Sequence, residues 1–255
     1  AIDFPHVAVC GEQESIVGEA IQEAVAAFKG TPGDPSSFDP LDALLGLQSY
    51  RLAFWRVAAE EINYRRFFAI NDLAAIRQEV PEVFAESHAL VSRLITESKI
   101  HGLRIDHPDG LWDPAGYFRD LQRLAFLARC RRAIPDEQEW AQRRPLLETW
   151  WSKRWDADGV NAIPDPFPVV IEKILEPGER LPEQWPVSGT VGYEFTRIVT
   201  GLFVDPTSEK AFSQWYERFA GSQESFANQV YEAKRLILRV ALSSELNVLA
   251  AALDR

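Results

Sequence analysis

Apolar side chains recur at the spacing of an α-helix through most of the chain. This spacing predicts helices over residues 12–29, 81–98 and 114–131, and again from residue 206 to the end. Residues 134–166 are charged, rich in tryptophan and poorly patterned for a sheet, so we expect a helical excursion there. By residue count the fold is predicted to be mostly helical.

Three short apolar runs interrupt the helical pattern and predict buried strands. The first lies in HGLRIDHPDG from His101, the second in FPVVIEKIL from Phe167, and a third, weaker one in WPVSGTVGYEF from Trp185. Proline and glycine mark the turns around them. Strands separated by helices indicate parallel β/α units, and hence an α/β fold class.

A carboxylate stands at the carboxyl end of each of the first two strands. Asp106 follows the first apolar run, and Glu172 follows Val169–Ile171. In parallel β/α sheets, ligands bind beyond the carboxyl ends of the strands, so neighbouring strands would place both carboxylates in one mouth. Two carboxylates at roughly 5 to 5.5 Å are the arrangement of a retaining glycosidase. Arg104 shares a face with Asp106 by the two-residue period and is predicted to keep it ionised and oriented.

Simpler interpretations of the same residues stay open at this point. The stretch after Ile105 also suits a surface turn with a local ion pair, because Pro-Asp-Gly sequences are common turns. Glu172 could equally pair with its neighbour Lys173 at the surface.

Composition narrows the possible partners. The chain has 255 residues, 46% of them hydrophobic and 25% charged, which is ordinary for a soluble domain. Its net charge of −11 argues against nucleic acid, which needs clustered cations. No run reaches membrane-span length and no signal-peptide pattern opens the chain, so we expect a cytoplasmic protein without a membrane partner. Cys10 and Cys130 do not have the spacing of metal ligands. Methionine is absent even at residue 1, which suggests that the sequence is an excerpt of a longer protein.

Longer stretches carry a resemblance to a known family. The stretches are LLGLQSYRLAFWRVAAEEINYRRFFAINDLAAIRQE from Leu44, GLRIDHPDGLWDP from Gly102 and VIEKILEPGERLPEQWPVSGTVGYEF from Val170. Together they resemble the maltooligosyl trehalose synthases, a branch of the α-amylase family of glycoside hydrolases. Residues 44–116 and 168–206 carry the likeness most strongly, with YRRFF and RIDHPDGL as its most specific parts.

The resemblance assigns roles to matching residues. Arg104 and Asp106 match the Arg-x-Asp pattern of the family, which makes Asp106 the nucleophile, and Glu172 matches the proton donor. Ordinary amylases carry Lys or His, then His, at the third and fourth positions after the nucleophile; Asp109 and Gly110 stand there, as in the synthases. The remaining residues expected to bind sugar are Tyr64, Arg65, Arg66, His107, Asp109, Lys173 and Tyr193. Tyr64 could equally be a core residue.

The resemblance also implies a fold and an activity. The implied fold is a partial (β/α)8 TIM-type barrel, about strands 4 to 6: a helical segment 1–62, a partial catalytic barrel 63–206 with a helical excursion 117–166, and a helical segment 207–255. The third acid and an earlier motif of the family are not recognised in the chain, so its partners are expected to be the remainder of a parent polypeptide and a maltooligosaccharide.

The implied reaction is an intramolecular transglucosylation by a retaining double displacement. It converts the reducing-end α-1,4 linkage of a maltodextrin to an α,α-1,1 linkage, in trehalose biosynthesis, and needs neither metal nor organic cofactor. An enzyme of this kind is an isomerase of the intramolecular transferase type. The alternatives are another hydrolase or transferase of the α-amylase family, and a non-catalytic helical module that binds α-glucan.

Overall fold

The computed structural model describes residues 13–163 and 165–254. Contacts divide the chain into two compact units, Ala1–Asp72 with Ala227–Arg255, and Leu73–Phe226. The first and last parts of the chain therefore belong to one unit. The domain boundaries after residues 62 and 206, which the family resemblance implies, stay a prediction. Residues 1–12, including Cys10, lie outside the described residues.

Helices make up most of the structure, as the apolar spacing predicts. They are α1 (Gln13–Phe28), α2 (Asp39–Gly46), α3 (Ala58–Glu61), α4 (Pro81–Ser87), α5 (Ala89–Thr96), α6 (Pro114–Ala133), α7 (Glu137–Asp158), α8 (Tyr193–Gly201), α9 (Glu209–Ala220), α10 (Phe226–Val240) and α11 (Ser243–Leu253).

Two predicted elements differ from the structure. The helix predicted over residues 81–98 is two helices, α4 and α5, which meet at His88 (φ −105°, ψ 7°). The His88 ring is buried, its Nδ1 lies 2.9 Å from the Phe84 carbonyl, and its Nε2 lies 3.0 Å from the Tyr117 hydroxyl. The third apolar run forms a strand only over Gly189–Thr190, because Gly192 adopts a φ of 98° and α8 begins directly after it.

The strands form two small sheets. One pairs β1 (Arg66–Phe67) with β2 (Ile70–Ala74). The other joins β3 (Leu103–Ile105), β4 (Val169–Ile171) and β5 (Gly189–Thr190) in that spatial order, with both pairs parallel. The prediction of parallel strands is therefore confirmed for all three, and α6 and α7 separate β3 from β4 as predicted, but residues 172–188 between β4 and β5 form no helix.

The two faces of the three-stranded sheet differ in character. Val169 and Ile171 are fully buried and join a core with Phe118, Leu121 and other side chains of α6. Leu103 and Ile105 pack against the same core from β3. Arg104 lies between them in sequence and is 58% exposed. Successive side chains on a strand point to opposite faces, so Arg104 belongs to the face away from α6.

Gln122 ties α6 to the sheet. Its side chain is 2% exposed; the amide nitrogen donates to the carbonyls of Phe167 and Pro186, each at 2.9 Å, and the amide oxygen accepts from the Phe167 N–H at 2.8 Å. These bonds fix the segments that lead into β4 and β5. Gln122 thereby helps set where Glu172 emerges.

We expect Gln122→Leu to lower the free energy of unfolding of this unit by about 3 kcal/mol, because it leaves three buried backbone groups without partners. Urea unfolding followed by circular dichroism measures the loss. Gln138→Leu, at an exposed position in the first turn of α7, is the matched control and should change stability little. Equal effects of the two substitutions would contradict the role assigned to Gln122.

Among the described residues, no single helix is both long and apolar enough to cross a membrane. Only the pair α10 and α11, bent by 83° at their junction, passes by length and composition together.

Candidate active site

Asp106 and Glu172 emerge side by side from the three-stranded sheet. In the parallel register, Leu103, Arg104 and Ile105 lie opposite Val169, Val170 and Ile171. The Glu172 N–H continues the ladder by donating to the Ile105 carbonyl at 2.8 Å. The residue that follows each strand is therefore a carboxylate, and the two strands are neighbours, as the strand-end argument requires.

The two carboxyl groups influence each other electrostatically. Interaction with Asp106, together with burial of Glu172, holds the pKa of Glu172 above its usual range, although Arg104 and Tyr193 act in the opposite direction. The register of β3 and β4 brings both carboxyls to the same end and the same face of the sheet.

Two donors converge on the Oε1 atom of Glu172. Arg104 forms an ion pair with it, and the Tyr193 hydroxyl donates to it at 3.4 Å. Arg104 was expected to orient Asp106. It reaches Glu172 instead because its register partner is Val170, two residues before Glu172 on the adjacent strand. Tyr193 comes from the first turn of α8, directly after β5.

Lys173 joins the turns that follow β3 and β4. Its ammonium lies 2.9 Å from Glu179 and 3.7 Å from Asp109, and its side chain is only 16% exposed. The hydrogen bond to Glu179 is the main reason that the pKa of Lys173 is raised. His107 holds a left-handed conformation with a φ of 48°, and its Nδ1 lies 3.5 Å from Asp109. Three residues predicted to bind sugar thus lie in one cluster beside the paired carboxyls.

Comparison with known proteins identifies the relatives of this arrangement. No family model matches the chain. A protein of Mycobacterium tuberculosis, provisionally named a maltooligosyl trehalose synthase, is 35% identical over 200 residues, which are 78% of this chain and 21% of the relative. The structure of maltooligosyltrehalose synthase from Arthrobacter ramosus superposes with a TM-score of 0.64 at 34% identity, over 88% of this chain and 24% of that one.

A third relative extends the comparison. The crystal structure of a hypothetical maltooligosyl trehalose synthase of Sulfolobus tokodaii gives a TM-score of 0.59 at 27% identity, over 85% of this chain and 24% of that one. This chain is homologous to a segment of the maltooligosyl trehalose synthases. It spans about a fifth to a quarter of the length of these relatives.

The synthase likeness identified a second set of residues, Tyr64, Arg65 and Arg66, which lies in the unit that contains β1. The Tyr64 hydroxyl donates to the Asn71 carbonyl at 2.9 Å, and Tyr64 is 43% exposed. Arg66 is 3% exposed in its side chain and binds Glu245 at 2.6 Å. That these residues bind sugar in a synthase stays a prediction.

The Arg66 guanidinium is buried and hydrogen-bonded to several groups of its own unit. Besides Glu245, its guanidinium donates to the Asn71 amide oxygen at 2.7 Å and to the Ala241 carbonyl at 2.9 Å.

We expect Arg66→Met to lower the free energy of unfolding of this unit by about 3 kcal/mol, because it leaves the Glu245 carboxylate without its buried partner. Thermal and urea unfolding measure the loss. Arg65→Met, at the exposed neighbouring position, is the matched control, and an equal loss there would refute the assignment.

Glu179 holds Lys173 in place and is not among the site residues predicted from the sequence. A signal for it exists in the sequence EPGE, because a Pro-Gly turn folds the chain back on itself. In the structure the Glu179 N–H donates to the Glu176 carbonyl at 3.0 Å, and the Glu179 carboxylate accepts from the Glu176 N–H at 2.9 Å. The turn thereby aims the carboxylate at Lys173.

The sequence left open a simpler interpretation, in which Glu172 pairs with its neighbour Lys173 at the surface. Among the described residues, Glu172 pairs with Arg104, while Lys173 pairs with Glu179 and Asp109. A surface ion pair between Glu172 and Lys173 is therefore not what the structure shows. The same part of the chain contains no group of three or more His, Cys, Asp or Glu side chains placed to hold a metal ion.

Proposed function

We propose that this chain is the part of a maltooligosyl trehalose synthase that carries the nucleophile, Asp106, and the general acid and base, Glu172. The observation that carries the proposal is the emergence of these two carboxyls from the carboxyl ends of adjacent parallel strands in register. The family likeness supports it independently, since it assigns the same two residues. The other residues expected to bind sugar are part of the same proposal.

The proposed fold of the parent enzyme is a (β/α)8 barrel, with β3, β4 and β5 as about its fourth to sixth strands. Two features of the sheet support it. Val169 and Ile171 are buried against helices, as barrel strands are on their outer side. Arg104, on the opposite face, is 58% exposed and is paired with Glu172 at the carboxyl end of the strands, where active sites of such barrels lie.

The first chemical step uses the two carboxyls in different states. Asp106 attacks the anomeric carbon of the glucose unit next to the reducing end, and a bond from carbon to Asp106 replaces the α-1,4 bond. Glu172 gives its proton to the departing oxygen, so that glucose is released as a neutral sugar. The raised pKa of Glu172 suits this role, because a general acid must be protonated at the working pH.

The second step reverses these roles. Glu172 removes the proton from the anomeric hydroxyl of the released glucose, whose oxygen attacks the anomeric carbon held by Asp106. The bond to Asp106 breaks, an α,α-1,1 linkage forms, and Glu172 is again protonated. No water is consumed, so exclusion of water separates this isomerisation from hydrolysis.

Product analysis tests this function. The parent polypeptide is incubated with maltopentaose, and the products are resolved by chromatography and assayed for reducing ends. We expect a pentasaccharide without a reducing end. Glucose and shorter maltooligosaccharides as the main products would instead indicate a hydrolase of the α-amylase family, and binding without any conversion would indicate a glucan-binding module.

A further inference from the structure

Trp112 is a large aromatic side chain that the proposed mechanism does not use. It follows the turn after β3 and immediately precedes Asp113, the N-cap residue of α6. Its side chain is 80% exposed, although tryptophan is highly buried on average. One exposed apolar residue needs no explanation by itself, so its surroundings decide whether it has a role.

The surroundings of Trp112 form a shallow cleft with polar walls. Glu79, Asp113, Arg119 and Asp120 line it together with Trp112. Its volume of about 60 Å³ holds about two water molecules, so a ligand would lie against the cleft and the indole ring rather than inside an enclosed pocket. Gly116 also lines the cleft, and a Cβ atom there would fall 2.2 Å from the Asp113 carboxylate, so a side chain at this position would displace the N-cap residue.

The charge of the cleft restricts the ligand class. Three carboxylates and one guanidinium line it, and Arg77 and Arg123 pair with Glu79 and Asp120, so the charges are nearly balanced and favour a neutral ligand over an ionic one. A neutral sugar fits both parts of the surface. The C–H face of a glucose ring can pack on the indole, while its hydroxyls reach the carboxylates and the guanidinium, which form hydrogen bonds at the rim.

The position of Trp112 in the chain connects the cleft to the active site. Trp112 is the sixth residue after Asp106, which limits the distance between their Cα atoms to about 20 Å. A maltooligosaccharide held at Asp106 can span such a distance with its remote units. Both residues also lie in the same compact unit.

We propose that Trp112 and the cleft beside it form an α-glucan subsite that binds glucose units remote from the bond that is cleaved. This inference rests on the proposed function for the identity of the ligand. Its physical basis is the exposed indole on the segment that follows the nucleophile, together with the carboxylates and the guanidinium that line the cleft beside it.

Titration with maltoheptaose tests the subsite. Binding is measured by calorimetry for the unaltered chain and for Trp112→Ala, Trp112→Tyr and Trp55→Ala. Trp55 is a matched control, because it is 70% exposed and lies in the other unit. We expect Trp112→Ala to raise Kd about tenfold, which corresponds to about 1.4 kcal/mol, because the variant lacks the aromatic face on which the sugar packs. Trp112→Tyr should keep most of the affinity, and Trp55→Ala all of it.

Nuclear magnetic resonance locates the bound sugar. The chain has eight tryptophans, and the indole N–H signal that Trp112→Tyr removes should be the one that maltoheptaose shifts most. Unchanged affinity in Trp112→Ala, an equal loss in Trp55→Ala, or no binding by the unaltered chain overturns the subsite. Binding of tetramethylammonium at Trp112 without binding of maltoheptaose also overturns it, since that would assign the ring to cations. The proposed function is tested separately by its products, so either can fail alone.

Discussion

Asp106→Asn in the full-length parent polypeptide is expected to reduce turnover of maltopentaose by at least about 10⁴-fold while leaving its binding measurable. Asparagine has nearly the shape of aspartate but lacks the carboxylate that must bond to the anomeric carbon. The substitution therefore removes a contribution made only in the transition state. Initial rates of formation of the non-reducing product measure turnover, and calorimetry measures binding.

The control for this result is Asp156→Asn, at an exposed position on α7. It removes the same charge and should leave the rate unchanged. A normal rate in Asp106→Asn would show that Asp106 is only a turn residue and would remove the basis of the mechanism.

Glu172→Gln is expected to lower the rate by about 10² to 10⁴-fold, because glutamine cannot give a proton to the departing oxygen. The active form of Glu172 is the protonated one. Activity of the unaltered enzyme should therefore fall as the pH rises through the pKa of Glu172, which contact with Asp106 raises above its usual range. Rates measured across pH should show this alkaline limb, and the variant should lack it.

Direct titration of Glu172 checks the cause of the raised pKa. With carbon-13 labelled glutamate in the chain, Asp106→Asn should lower the pKa of Glu172, because it removes the neighbouring negative charge. Glu183→Gln, at an exposed position, is the control and should leave that pKa unchanged. A pKa of Glu172 that does not move in Asp106→Asn would contradict the coupling of the two carboxyls.

The raised pKa of Glu172 also makes the stability of the folded chain depend on pH. The folded chain binds a proton at Glu172 more tightly than the unfolded chain does. Protonated Glu172 thus stabilises the fold at low pH, and this contribution is lost as the pH rises through the folded-state pKa. The dependence is opposite to that of Glu179, whose pKa is lowered by hydrogen bonds to the Glu176 backbone and to Lys173.

Local pattern was sufficient for several of the helices, for β3 and β4, and for the positions of the two carboxyls at the strand ends. The helical spacing predicted α1 and α6 within a few residues, because the hydrophobic period of a helix is written in neighbouring positions. The apolar runs predicted β3 and β4 for the same reason. Asp106 and Glu172 could be found because carboxylates at the ends of buried parallel strands lie where such sheets bind ligands.

The partners of the charged side chains were decided only by the tertiary structure. Arg104 reaches Glu172, 68 residues away, and Arg66 is buried against Glu245, 179 residues away. No local period specifies such pairs, because each depends on which distant strand or helix becomes the neighbour. The sequence by itself determined which residues carry charge at the ends of the strands. Strand register and helix packing decided which of those charges meet, because each partner lies on an element distant in the sequence.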